Sequence, residues 1–409
     1  MSDADHQSSS AATLPAAVPR PGVYFDLPNA RVGVHYRTRV EGRDERGEPC
    51  RLLSVEIPSG LGLGFAAETS ELQGTPLLDG DHRLAVHWTS DGGRSFVSDT
   101  LLIVNPDPRT LWKVVEPPAD APYPKPHTDS SLLVCDGYRL AAASRRGRSH
   151  EHAGGFRDDD FFLARVAETG WSLLLVADGA GSARFSRQGA RLAVTQAGKC
   201  LAERLAGDPG VELNAALAGW GADPLETARH MGARFHYLFH EAGLLALQSI
   251  EREAQTRGAT PRDYATTLLV AAVRRQAGET FLATFWVGDG AIAAYGPRGK
   301  VRLMGVPDGG DYAGQTRFLD RAALGDQGFA RRIGVGCYPD LSAILLMTDG
   351  VSDPRFETAR ALADAAHWDA LCDEIAPCLG SPRPEQEMLD WLGFFSPGHH
   401  DDRTLALLW

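Results

Sequence analysis

The sequence predicts an α+β chain in two parts, a small β-sandwich followed by a larger layered α/β sandwich. Three observations carry this. Residues 22–115 hold short alternating apolar segments separated by turn signals. A proline-rich stretch, Pro117–Pro126, then interrupts the chain. Beyond it, strand-like apolar runs bracket two long stretches of helical composition.

The bulk properties set limits. A chain of 409 residues accommodates two or three domains, taking about 100–200 residues for each. A net charge of −12 argues against a nucleic-acid surface, which needs clustered Lys and Arg. No apolar run approaches the ~18 residues that cross a bilayer. Residues 1–21 are polar and small, without the basic start and apolar stretch of a secretory signal, and read as a disordered leader. Cys50, Cys135, Cys200, Cys337, Cys372 and Cys378 are scattered with no CxxC pair. They read as free buried thiols of a protein in a reducing cytoplasm.

In the first part, Arg31–Tyr36, Leu52–Ile57, Arg83–Trp88 and Leu101–Val104 read as strands. Turn signals at Asp26–Asn29, Pro58–Gly60, Asp79–Asp81 and Asp91–Gly93 separate them. Val86–Phe96 reads as a hairpin with its tip at Asp91, Gly92 and Gly93. Residues 22–115 resemble an immunoglobulin-like sandwich in this general pattern, without the Cys…Trp…Cys set. Such a module is expected to bind a partner or to serve as structure. Residues 116–130, with their many prolines, read as an extended, semi-rigid linker that marks the domain boundary.

In the second part, Tyr138–Ser144, Phe161–Val166, Trp171–Ala177, Ala265–Val273, Phe281–Val287, Ala291–Tyr295, Ala343–Met347 and Thr404–Trp409 read as strands. Arg187–Leu205 and Pro224–Gln255 read as helices. Along the second, Met231, Phe235, Leu238, Phe239 and Ala242 recur at helical spacing and mark a core-facing side.

Acidic residues recur where apolar strands end: Asp178–Gly179, Gly288–Gly290, Asp349–Gly350 and, before the last strand, Asp401–Asp402. Asp158, Asp159 and Asp160 precede Phe161. Taken singly, an Asp-Gly after a strand is an ordinary turn. Taken together, strand ends from neighbouring strands can bring the carboxylates to one patch. Carboxylates that converge repel one another unless cations neutralise them. Hard divalent ions such as Mg²⁺ and Mn²⁺ accept oxygen ligands of this kind. Paired ions can acidify a shared water and hold phosphoryl oxygens during in-line displacement.

Five signatures then carry a specific resemblance: Asp178–Ser182, Thr266–Leu268, Gly288–Gly290, Thr348–Asp353 and Asp401–Thr404. Their order is that of the type 2C protein phosphatases, the metal-dependent serine/threonine phosphatases, which the chain resembles from about Cys135 to Trp409. The opening Arg148–Phe161 looks like the divergent start of a bacterial subgroup. The resemblance implies a layered α/β/β/α sandwich over residues 131–409, two Mg²⁺ or Mn²⁺ ions with a third possible, and attack by a water bridging two metals. It implies Asp178 bridging the metals, the Gly179 carbonyl on one of them, and Asp349 and Asp401 on the first. Asp159 matches the early metal aspartate and Asp158 its acidic partner, with a register one residue on, at Asp160, also open. Asp289 matches the aspartate that recruits a third metal.

Two positions depart from the pattern. No arginine lies at the spacing of the family's phosphate-gripping arginine, leaving Arg148, Arg157, Arg184 and His150 as candidates. Ala180 stands where many eukaryotic members carry a histidine, so the leaving group takes its proton from water or from another group, among them His150, His399 and His400. Pro307–Arg332 resembles the family's substrate flap, with Tyr312 and Phe318 as expected anchors. The expected partners are phosphoprotein substrates, together with a cognate kinase and a von Willebrand-type protein, as the subgroup implies. The competing reading is a catalytically weak phosphatase fold that serves as a binding or signalling module beside a kinase.

Overall fold

A computed structural model describes residues 22–45, 47–89, 94–110, 112–276, 278–305, 307–308, 316–325 and 328–409. The chain forms two compact units, divided between Trp112 and Lys113. The expected leader, the hairpin tip at Asp91–Gly93 and the flap residue Tyr312 lie outside the described residues.

The first unit is β-rich. Its strands are β1 (Val23–Asp26), β2 (Ala30–Arg31), β3 (Tyr36–Arg39), β4 (Glu41–Asp44), β5 (Arg51–Glu56), β6 (Leu63–Ala66), β7 (Glu71–Gly74), β8 (Gly80–Thr89) and β9 (Ser95–Asn105). One sheet runs β2-β9-β8-β5 and another β3-β7-β6, with β1 and β4 paired separately. Leu84, Val86, Trp88, Leu102 and Val104 from the first sheet share a core with Tyr36 and Leu72 from the second. The expected hairpin is present, with Thr89 opposite Ser95. The expected strand Arg31–Tyr36 is not. Residues 32–35 turn between β2 and β3, so the apolar alternation there belongs to a loop.

The second unit opens with β10 (Thr128–Cys135), β11 (Tyr138–Arg145), α1 (Arg148–Ala153), β12 (Asp160–Val166) and β13 (Trp171–Ala177). Then follow α2 (Ser186–Ala206), α3 (Asp208–Leu217), α4 (Pro224–Arg257), β14 (Leu268–Gln276), β15 (Glu279–Val287), β16 (Ala291–Tyr295) and β17 (Val301–Leu303). It closes with α5 (Arg321–Gly325), β18 (Ile333–Tyr338), β19 (Ala343–Met347), α6 (Asp349–Ser352), α7 (Ala359–Ala363), α8 (Ala365–Leu379), α9 (Pro384–Trp391) and β20 (Arg403–Leu408).

Two antiparallel sheets result, β10-β11-β20-β19-β16-β17 and β12-β13-β14-β15-β18. Period-two alternation explains the layering. On β13, Leu174 and Val176 pack between the sheets. Leu173 and Leu175, on the opposite face, pack with residues of α2, α3 and α4. On β20, Ala406 and Leu408 face inward, while Leu405 and Leu407 pack with Trp368, Leu371 and Ile375 of α8 and Met388 of α9. The order is therefore helix, sheet, sheet, helix. Because both faces are covered, these strands read as continuous apolar runs.

The proline-rich segment is not a spacer. The backbone N–H of Val115 donates to the Glu151 carbonyl, and Arg187 donates to the carbonyls of Pro122 and Tyr123. The Tyr123 ring lies edge-on to Phe185 and Tyr264, and its hydroxyl donates to Glu253. Lys125, with a side chain only 8% exposed, sits 2.9 Å from Asp160. Proline fixes an extended path but does not decide what that path lies against. Here it straps the second unit, and the boundary falls before it.

No helix among the described residues is long and apolar enough to cross a membrane. All six cysteines are free, but only Cys200 is buried; the others are half-buried.

Candidate metal centre

Each acidic residue sits at a strand end and is fixed by backbone contacts. Asp178 follows β13. Its N–H donates to the Thr267 hydroxyl at 2.8 Å, and its carbonyl accepts from the Thr267 N–H and the Thr266 hydroxyl. The paired threonines thus clamp the turn. A side chain at Gly179 would lie 2.9 Å from the Asp158 carbonyl, so this close approach requires glycine. Asp289 follows β15, and Asp349 begins α6 directly after β19. Carboxylate oxygens of Asp178, Asp289 and Asp349 lie within 4.8 Å of one another.

Asp159 enters from the start of β12 and is fully buried. Its Oδ2 accepts from the hydroxyls of Thr348 at 2.8 Å and Thr404 at 2.7 Å. Its Oδ1, with Oδ1 of Asp289 and of Asp349, is buried without a hydrogen-bond partner among the described residues. Asp401 is exposed and groups with His150 and Asp402, their ligand atoms within 4.8 Å of one another, not with the Asp178 trio.

The electrostatics follow from this crowding. Burial, then the charges of Asp349, Asp159 and Asp401, holds the Asp178 carboxyl well above its usual range. Burial, then Asp401, Asp289 and Asp159, does the same for Asp349. Asp159 is pushed up to about 7 by burial and by Asp402. Asp401 rises through burial of its carboxyl and the charge of Asp402. Each shift says that a negative charge there lacks compensation. Orphaned hard oxygens in a mutually repelling set match what a divalent cation requires, so the residues fit the implied metal.

Of the two registers left open, it is Asp159 that is buried beside the cluster. Asp160 instead turns to Lys125 and accepts from the Phe161 N–H. Asp158 is buried, accepts from the Ser186 hydroxyl at 2.8 Å, and is raised by burial and by Asp402.

Sequence reasoning did not single out Asp402. It is 1% exposed and accepts from the N–H groups of Gly147 and Asp158. Burial alone would raise it, but the hydrogen bond and charge of His150 and these N–H groups bring it below the ordinary range. The Asp401–Asp402 doublet was the available signal: one carboxylate faces the site and the next anchors the loop. Thr348, Thr404, Ser186 and Lys125 were likewise missed as supports.

Two phosphate-binding candidates need correction. Arg157 is 1% exposed. Its guanidinium donates to the Ser144 hydroxyl and to the Asp159 carbonyl, bracing the acidic loop from behind. His150 faces Asp402 and Asp158. Burial works against its charge, yet the bond and charge of Asp402 raise it to about 9. It sits within the acidic wall, at ion-pair distance from both carboxylates. Arg184 is exposed over the Phe185 ring, 4.8 Å from its centroid. Arg148 is paired loosely with Glu151 at 3.6 Å.

The described parts of segment 307–332 reach the centre. The Thr316 hydroxyl donates to Asp289, the Leu319 N–H donates to the Thr266 carbonyl at 2.8 Å, and Asp308 bonds Gly288 in both directions. Buried Leu319 is the apolar anchor, one residue beyond the expected Phe318, which is half-buried.

Two packed sheets flanked by helices, with an acidic cluster at their strand ends, make up the second unit. Residues 146–393 match the protein phosphatase 2C family, and the chain belongs to it. Among solved structures it is similar to PppA, a key regulatory component of the T6SS in Pseudomonas aeruginosa, at 17% identity and a TM-score of 0.40, over 68% of this chain and 99% of that one. It is similar to serine-threonine phosphatase 2C from Toxoplasma gondii at 15% identity and a TM-score of 0.44, over 69% and 99%. It is also similar to the S. agalactiae serine/threonine phosphatase, at 15% identity and a TM-score of 0.35, over 69% and 99%. No curated protein matches the chain.

Proposed function

We propose that the second unit is a metal-dependent phosphatase that hydrolyses phosphoserine and phosphothreonine in proteins. The observation that carries this reading is the convergence of the Asp178, Asp289 and Asp349 carboxylates within 4.8 Å, beside a buried Asp159 with one unbonded oxygen.

Asp159, Asp178, Asp349 and Asp401, with the Gly179 carbonyl, are assigned to two Mg²⁺ or Mn²⁺ ions. Asp289 is assigned to a third, and Asp158 to support from behind. Bound ions supply Lewis-acid chemistry, acidifying water and neutralising phosphoryl oxygens. The chain's own residues do the rest. Thr348 and Thr404 orient Asp159 through its inward oxygen. Thr266 and Thr267 fix the Asp178 turn. Arg184 remains as the cationic candidate for the substrate phosphate at the acidic centre, since Arg148 turns to Glu151.

Ala180 is buried and bears no proton. His400 is held below its usual value by burial and by Arg403 and Arg148, so at neutral pH it is a poor acid. His150 is held at ion-pair distance from Asp402, its Nδ1 3.0 Å from Oδ1. Water and His399 are then the donors left for the leaving oxygen. A cytoplasmic setting, with a cognate kinase and a von Willebrand-type protein as partners and an immunoglobulin-like first unit to dock one of them, completes the reading.

The test is turnover of an aryl phosphate and of a phosphothreonine peptide with Mn²⁺. The full chain should hydrolyse both, and Asp178→Asn should stop both. A folded, Mn²⁺-loaded chain that turns over neither would leave only the binding-module reading.

A further inference from the structure

Beside the acidic centre, on the helix-covered face of the six-stranded sheet, lies a small pocket of opposite character. Arg145, Arg146, Gly147, Arg148, Glu151, Leu392, Gly393 and Arg403 line it. Four arginines and one glutamate thus line it, in a chain whose net charge is −12.

The arrangement concentrates positive charge. Arg145 of β11 stands directly opposite Arg403 of β20 in the antiparallel register. Like charges directly across a strand pair are destabilising. Arg403 is only 7% exposed and Arg146 only 3%. Burying cations without partners is unfavourable, yet the Nε of each is buried and without a hydrogen-bond partner among the described residues.

Structural duties account for part of this set. Arg403 donates to the carbonyls of Leu392, Phe394 and His399 beyond the end of α9, as cations do at helix C-termini. Arg146 donates to the carbonyls of Val115 and His150. Neither duty uses Nε. Arg145 has no such duty: among the described residues its guanidinium has no hydrogen bond or ion pair, and it packs against Gly393, where an added side-chain carbon would lie 3.3 Å from its Cζ. Glu151, the lone carboxylate, is engaged by Arg148 at 3.6 Å.

We propose that this pocket binds a phosphate-type oxyanion, as a site separate from the acidic centre. A tetrahedral dianion has enough acceptor oxygens to engage several guanidinium groups at once, and planar Arg forks suit it. The same oxyanion can arrive free or as the monoester of a phosphorylated protein. The pocket adjoins the acidic centre, since Gly147 and Arg403 flank Asp402, whose Oδ1 accepts from the Gly147 N–H.

The experiment keeps the two sites apart by using the full chain carrying Asp178→Asn, in which the metal centre is disabled. Inorganic phosphate is titrated calorimetrically at constant ionic strength, with acetate as the control anion. The expected result is saturable, single-site binding. Arg145→Ala in the same background weakens it roughly tenfold or more, as loss of a charged bond implies, and Arg145→Lys recovers part of it while confirming that position 145 tolerates change. A phosphothreonine peptide that binds tighter than phosphate and responds to Arg145→Ala identifies a protein-borne ester; a peptide that binds no tighter identifies free phosphate, and both results support the pocket. Three results overturn it: no saturable binding in the Asp178→Asn chain, unchanged affinity in Arg145→Ala, or equal binding of acetate. None depends on whether the acidic centre turns over substrate.

Discussion

The Nδ1 of His150 lies 3.0 Å from Oδ1 of Asp402, while its Nε2 lies 3.6 Å from Oδ2 of Asp158. One imidazolium thus ties α1 to the loop before β20 and to the acidic approach to β12.

His150→Ala should destabilise the fold by about 3 kcal/mol, because it leaves the buried Asp402 charge without its partner. The raised value of His150 fixes the sign. Its contribution is full below the unfolded value of about 6.5 and is lost as pH rises through about 9. Asp402, depressed, needs pH above about 3.9 to contribute fully. The gap between native and variant in urea midpoint should therefore be widest near pH 5 to 6 and close by about 9. A constant gap would refute the pairing.

Carboxyls raised in the folded state work in the opposite direction. The folded chain keeps a proton on Asp159 up to about 7, whereas the unfolded chain releases it near 3.9. Without metal, stability should fall as pH rises between these values. Asp178→Asn should raise the metal-free melting temperature at pH 8 and reduce that slope, while lowering turnover at least about a thousandfold, the scale lost with an essential group. Melting curves in chelator, with and without excess Mn²⁺, check this. A variant less stable than the native chain in chelator would contradict it.

Thr348→Val should weaken Mn²⁺ affinity roughly 10- to 100-fold, the range expected when a partner orienting a metal ligand is lost. Its hydroxyl is one of two that fix Asp159. The Mn²⁺ dependence of turnover measures the effect, and an unchanged midpoint would remove the threonine from the site's support.

Lys125→Met tests the strap. It leaves Asp160 without its partner at 2.9 Å, and should cost about 3 kcal/mol. Lys199→Met, at an exposed position, should stay within about 0.5 kcal/mol. Equal melting temperatures for the two variants would mean that the segment is only a spacer.

Strand ends bearing Asp-Gly were legible in the sequence because strand, turn and carboxylate are local and adjacent. The strands Trp171–Ala177, Ala291–Tyr295 and Ala343–Met347 match their expected spans, since each is a continuous apolar run buried on both faces. β10 escaped notice because Thr128–Ser131 is polar; its pairing with β11 supplies what its composition does not. α8 and α9 were not read individually, although Trp368, Leu371 and Ile375 carry helical spacing. Arg157 was legible as a charge but not as a buried one, because Ser144, its partner, comes from another strand. The strap shows the same limit: prolines dictate an extended path, and only tertiary contacts reveal what it binds.

Two threonine hydroxyls occupy Oδ2 of Asp159 and leave Oδ1 alone facing the acidic cluster. Asp159 can thus lend an incoming cation a single oxygen. Calcium, with its six to eight oxygens and its taste for chelating carboxylates, is poorly served by such a donor, whereas a small octahedral ion that retains its own waters is well served. Were Asp159 the metal ligand proposed above, a pair of alcohols bonded only to its other oxygen would bias the site toward the smaller ion.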